Sequence, residues 1–150
     1  MIHLVIEGRI KNRKAYEVYA QDVINNLFPR EFTKRDIVIG IRFKNIVEEG
    51  IFGQAICEER NEYLVEIGKV VMEQELREVT PREIASTIAH ELVHIKQYIR
   101  GELNPTMTRW KGQEIPYGPR GGMKIAYHRC PWEKEAFKRE EELTEEFWDE

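Results

Sequence analysis

The chain carries little cysteine. Cys57 and Cys130 are its only two, too few for a zinc ribbon, and without a secretion signal both are expected to stay reduced. It also lacks a long apolar run. No stretch approaches the roughly 20 residues of a membrane-spanning helix, and the opening MIHLVIEGRI has no basic region followed by an apolar core. Positive charge is not in excess either: the net charge of −4 gives no long-range attraction to nucleic acid or an anionic membrane. Repeats, low-complexity tracts and linkers are absent as well. With 150 residues, 41% hydrophobic and 33% charged, the expectation is one domain over 1–150 with one core. A cytoplasmic setting is expected, with no membrane contact and with nucleic acid engaged only through a partner. The oligomeric state is not legible.

What is present centres on residues 80–101, TPREIASTIAHELVHIKQYIRG. Thr80 suits an N-cap, Pro81 the first helical position, and Glu83 completes a capping box with Thr80. Gly101 suits the position after the helix. Ile84, Ile88, Leu92, Ile95 and Ile99 recur at helical spacing and form one apolar stripe. Inside this helix stands His90-Glu91-Leu92-Val93-His94, an H-E-x-x-H pattern. At about 100° per residue the two histidines lie about 40° apart around the axis, off the side of the stripe. Two imidazoles one turn apart can reach one metal ion, with the Glu91 carboxylate beside it. A chain this long carries the pattern by chance on the order of one time in a hundred. The caps and the amphipathic setting therefore favour the metal reading over an ordinary surface or core histidine pair.

Around this helix the sequence predicts an α+β chain. Strands are expected over 2–6, 36–43, 51–58 and 63–71, with Gly53 marking a bulge or a close backbone approach and Cys57 a small buried hydrophobe. A helix over 11–27 should bury Tyr16, Tyr19, Ala20, Val23, Ile24 and Leu27. Residues 72–79 read as a link. Residues 102–129, broken by proline and glycine, read as an irregular wall or lid of a cleft. A last helix over 131–147 should present Trp132, Ala136, Phe137, Leu143 and Phe147 as its apolar face, with Glu135 and Arg139 paired on its surface.

A catalytic zinc takes three protein ligands and keeps one position for water. Glu133, Glu135, His128, His3 and Cys130 are candidates for the third. Glu133 and Glu135 point in different directions from the last helix, so only one can face the ion. A hydroxyl or imidazole donor for the reacting carbonyl oxygen would come from Tyr127, Tyr117 or His128, with Tyr127 preferred.

HELVHIKQY, a later Trp-Lys-Gly segment and PWEKEA together resemble the small SprT-like zinc metallopeptidases often encoded by phages. Glu133-Lys134-Glu135-Ala136 is similar to the second motif of glutamate-type zincins, including the ImmA/IrrE-type peptidases. The resemblance covers roughly residues 53–142 as order and spacing, and its specific part is the two short motifs. It implies a single zincin-like domain in which an N-terminal helix and a small, mostly antiparallel sheet pack against the metal helix and a C-terminal helix. It implies Zn2+ held by His90, His94 and Glu133, with His128 still open as the third ligand. The implied activity is hydrolysis of protein or peptide substrates by a metal-activated water, with Glu91 as general base. Strand 63–69 is then expected to form the cleft edge that a peptide pairs with. Two departures stand out. SprT proteins proper carry a third histidine and a C-terminal zinc ribbon, and no ribbon is seen in this sequence. Phe137 stands where the second motif often has Asp or Asn. A zinc-stabilised interaction module without turnover, and a DNA-associated SprT-type protease, are the competing readings.

Overall fold

A computed structural model describes residues 1–29, 34–45, 51–116 and 126–149. The element order is β1 (Ile2–Glu7), α1 (Arg13–Leu27), β2 (Ile37–Lys44), β3 (Gly53–Glu59), β4 (Glu62–Gly68), β5 (Val70–Met72), β6 (Leu76–Glu78), α2 (Pro81–Ile99), β7 (Arg109–Trp110), β8 (Gln113–Glu114) and α3 (Pro131–Phe147). The class is α+β, with three helices among the described residues and a mixed four-stranded sheet.

The sheet order is β1-β2-β4-β3. Only β3 and β4 pair antiparallel, whereas β1 with β2 and β2 with β4 run parallel. The expectation of a mostly antiparallel main sheet is therefore corrected. The reason is the connection: α1 lies between β1 and β2 and carries the chain back to the same end, which makes a parallel pair. A tight turn joins β3 to β4, with Asn61 at φ 64°. The order also corrects the cleft edge. β4 is enclosed by β2 and β3, and β3 is the edge strand on that side. The expected strand over 63–71 ends at Gly68. Its remainder pairs with β6 as a second small ladder, so the presumed link over 72–79 contains a strand.

One face of the sheet makes the core. Ile37, Ile39, Ile41 and Phe43 alternate inward along β2 and pack with Tyr16, Tyr19, Val23 and Ile24 of α1 and with Ile84, Ile88, Leu92 and Ile95 of α2. Val5 and Val38 on the opposite face stay exposed. The six residues expected on the buried stripe of α1 are its buried residues. Trp148, just past α3, stacks on Tyr16 at 5.0 Å and meets Tyr19 edge-on, pinning the acidic C-terminal end to α1.

α2 sits centrally, touching α1, β3, β4 and α3. Its ends are built as the sequence predicts. The Thr80 hydroxyl accepts from the Glu83 amide at 3.2 Å, and the Glu83 carboxylate accepts from the Thr80 amide at 3.0 Å. At the other end Gly101, at φ 71°, donates to the Tyr98 carbonyl and Glu102 to the Gln97 carbonyl, a Schellman closure. Arg77 grips both Glu83 oxygens at 2.9 Å. These hydrogen bonds hold the Glu83 carboxyl down at about 2, against the pull of burial. A lowered carboxylate pKa stabilises the fold above its unfolded value of about 4.5, and the contribution is lost as pH falls toward about 2. Thr80→Ala should cost about 1 kcal/mol, seen as a lower urea midpoint with unchanged slope. The gap between Glu83→Gln and the parent should close between pH 4.5 and 2. A gap that persists at the acid end would contradict the ionic part of this cap.

No helix among the described residues is long and apolar enough to cross a membrane.

Candidate metal centre

The site forms where α2 crosses α3. His90 and His94 leave α2 one turn apart, and their rings lie 4.9 Å apart between centroids at 79°. Glu133, in the first turn of α3, faces them. Its Oε1 lies 3.0 Å from His90 Nε2 and 3.1 Å from His94 Nε2. The three side chains are buried, and one donor atom from each falls within 4.8 Å of the other two. Ligands at 2.0–2.1 Å around tetrahedral zinc sit about 3.3 Å from one another, close to this spacing.

The remaining ring nitrogens show what the centre needs. His94 Nδ1 meets Gln97 Oε1 at 2.8 Å. The Gln97 amide cannot be turned round, because its Nε2 donates to the Trp132 carbonyl at 2.9 Å and to Glu135 at 3.0 Å. His94 Nδ1 must therefore carry the hydrogen. His90 Nδ1 meets Glu140 Oε1 at 3.1 Å, and an ionised carboxylate only accepts. Both tautomers are thus set, and in neutral rings both Nε2 lone pairs point at a carboxylate oxygen. Three acceptors would then converge, an arrangement satisfied either by a proton on the rings or by a metal cation. The titration directions report the same demand. Burial pulls His90 down, but hydrogen bonds to Glu133 and Glu140 outweigh it and lift it to about 10. His94 is lifted too, against burial, chiefly by its bond to Glu133. Burial opposes ionisation of Glu133, and the two histidines still hold it at about 2. The residues fit a divalent ion with imidazole and carboxylate ligands; zinc, iron, manganese, cobalt and nickel all suit such a set.

The other candidates fall away from the centre. Glu135 turns to Lys96 at 2.8 Å and to Gln97, and Arg139 pairs with Glu142, so the expected Glu135–Arg139 pair does not form. His128 lies exposed in a short 3₁₀ turn, Tyr127–Arg129, outside the cluster. His3 is exposed on β1, 3.6 Å from Asp36. Cys130 is buried in a small core with Leu103, Ile115 and Trp132. That core narrows the expected wall over 102–129, of which residues 117–125 lie outside the described residues. Residues 102–116 pack against Trp132 and do not line the cleft, whereas Tyr127, near the end of the segment, does. Tyr117 lies outside the described residues.

A cleft of about 510 Å³ opens beside the triad, bounded by β3, α2 and α3. Glu91 reaches it, almost wholly buried, and burial raises its carboxyl against the opposing pull of His94 and His90. The Tyr127 hydroxyl pKa is raised, by burial and by the negative charge of Glu133. Gly53 is the close approach expected of it. A Cβ there would lie 2.7 Å from Thr87 Cγ2 and 2.8 Å from the Glu66 carbonyl, so the missing side chain lets β3 run flush against α2. Cys57, on the same strand, is only half-buried.

Two residues around the triad escaped the sequence reading. Gln97 stands three residues after His94, and Glu140 seven after Glu133 on the same side of α3. That helical spacing was the available signal. Glu140 also accepts from the Ser86 hydroxyl. Partners that orient a ligating histidine are worth roughly 10–100-fold in metal affinity. Glu140→Ala should weaken binding within that range without abolishing it, as measured by chelator competition. Unchanged affinity would show that Glu140 does not orient the ring.

The fold and the site together define an α+β chain whose His-His-Glu triad is able to hold a metal ion. Comparison with known proteins finds no matching family model, no matching curated protein and no matching solved structure.

Proposed function

We propose that the chain is a zinc-dependent metallopeptidase of the SprT-like, glutamate-type kind that its two motifs resemble, acting on protein or peptide substrates in the cytoplasm. The observation carrying this reading is the placement of Glu91. It lies outside the ligand cluster and opens onto the cleft beside it. A metal held only for structure has no use for an acid poised over an accessible face.

A divalent ion held by His90, His94 and Glu133 supplies positive charge that acidifies water and polarises a carbonyl. The chain's own groups do the rest. Glu91 takes a proton as the water oxygen adds to the scissile carbonyl carbon. The raised carboxyl pKa runs in the direction a base working near neutrality needs. The C–N bond then breaks, and Glu91 returns the proton to the departing amine. One water is consumed, leaving an acid and an amine. The Tyr127 hydroxyl, kept protonated by its raised pKa, donates to the carbonyl oxygen as charge builds there. Edge strand β3 offers its backbone to an extended substrate.

The test uses purified protein carrying one equivalent of zinc, incubated with unfolded casein. Cleavage should vanish with a chelator and return with added zinc. Stoichiometric zinc with no cleavage of casein or of the protein itself would replace this reading by a zinc-stabilised interaction module.

A further inference from the structure

The wall of the cleft facing the triad is aromatic. Phe137, expected to join the buried face of α3, is instead 43% exposed. It lies four residues after Glu133, so it projects from the same side of α3, and its ring meets the His90 ring at 4.8 Å and 62°. Tyr127, 57% exposed, stands edge-on to it at 6.3 Å and 86°. Phe52 and Ile51, just ahead of edge strand β3, line the same cleft from the sheet side. One exposed ring alone would be ordinary, but Phe137, Tyr127, Phe52 and Ile51 line one cleft together, and a contiguous apolar patch with a polar rim marks a binding groove. The acid that orients His90 sits one turn further along, at Glu140, which leaves the position nearest the cleft to a phenyl ring.

The charge pattern narrows the occupant. Among the described residues the lining holds two acids, Glu91 and Glu140, and neither lysine nor arginine. An acidic side chain placed here would meet these two carboxylates, and the guanidinium over the Phe52 ring, Arg77 at 5.6 Å, is already taken by Glu83 and Glu73. The cleft's volume of about 510 Å³ falls within the roughly 300–1,000 Å³ of small-ligand clefts. Gly53 brings β3 against α2, and Gly53 and Gln54 of this edge strand line the same cleft as His90 and Glu91, so an extended chain paired with β3 would lie along that cleft. Its side chains alternate, and one beside the bond at the metal turns toward Phe137.

We propose that the Phe137, Tyr127, Phe52 and Ile51 wall is a specificity subsite, which selects peptide bonds flanked by a large apolar side chain, aromatic or long aliphatic, and rejects acidic ones. The proposal rests on the peptidase reading of the same cleft.

The test separates the two. Zinc-loaded Glu91→Gln protein is titrated with capped alanine-rich octapeptides carrying Phe, Leu, Ser or Glu at each position in turn. Wild-type protein is given the same peptides and the cut bonds are read by mass spectrometry. At one register, the Phe and Leu peptides should bind at least about 10-fold more tightly than the Ser peptide, with Glu weakest. Wild-type cuts should fall beside that residue. Phe137→Ala, placed in the Glu91→Gln background and checked for unchanged zinc content, should erase most of the gap. So should Phe52→Ala, which stands on the far wall and outside the metal cluster. Equal binding of the Ser or Glu peptides, no binding by any of them, or a preference that survives both substitutions overturns the subsite. Selective binding with no cut by the wild type leaves the subsite standing and removes the peptidase reading.

Discussion

Glu133→Ala should empty the metal centre. Purified wild-type protein should hold close to one equivalent of divalent metal, and the variant should lose it to a mild chelator. The loss should exceed the roughly 10–100-fold typical of an orienting partner, because Glu133 Oε1 is, among the described residues, the carboxylate atom that faces both Nε2 atoms. Thermal stability gives a second readout. A ligand at 1,000 times its Kd stabilises the native state by about 4 kcal/mol. For a chain of this length that is on the order of 10 °C in Tm. Wild type should lose that increment with a chelator, and Glu133→Ala should have none to lose. His128→Ala should behave as wild type in both measurements, since His128 stands exposed outside the cluster. If Glu133→Ala kept its metal and His128→Ala lost it, the third ligand would be the histidine.

Glu91→Gln should keep the metal and lose the reaction. Glutamine preserves the volume and the hydrogen-bonding reach of the side chain but cannot accept and return a proton. General acid–base catalysis contributes roughly 10²–10⁴-fold, and a loss of that order in kcat is expected at unchanged zinc content. Glu91 is not among the three donors, so coordination should survive. Retention of more than about a tenth of the parent rate would move the proton transfer to another group. Metal loss in Glu91→Gln would place Glu91 among the ligands.

The helix at the centre was legible residue by residue. Its capping box, its proline at the first position and its glycine closure are contacts between residues a few positions apart, and these sit where the sequence places them. The pairing of His90 with His94 is equally local, because one turn of any helix brings i and i+4 together. Glu133 was legible at one remove, as a motif on a second, well-marked helix.

Beyond that, tertiary packing decided. Whether Phe137 is core or cleft depends on the rotation of α3 against α2, which no run of neighbouring residues specifies. The same rotation lets Glu140 reach His90 Nδ1 and sends Glu135 to Lys96 rather than Arg139. Strand order is of the same kind. Alternation within 36–43 and 63–71 predicts strands, but β3 rather than β4 is the edge because β4 pairs on both sides, with β2 and with β3, a choice made only when the sheet assembles. Local hydrogen bonds and helical periodicity are settled within a few residues of chain, so sequence alone determines them. Partners across 40 or more positions are settled only when the core closes, and the aromatic cleft beside the triad belongs to that second group.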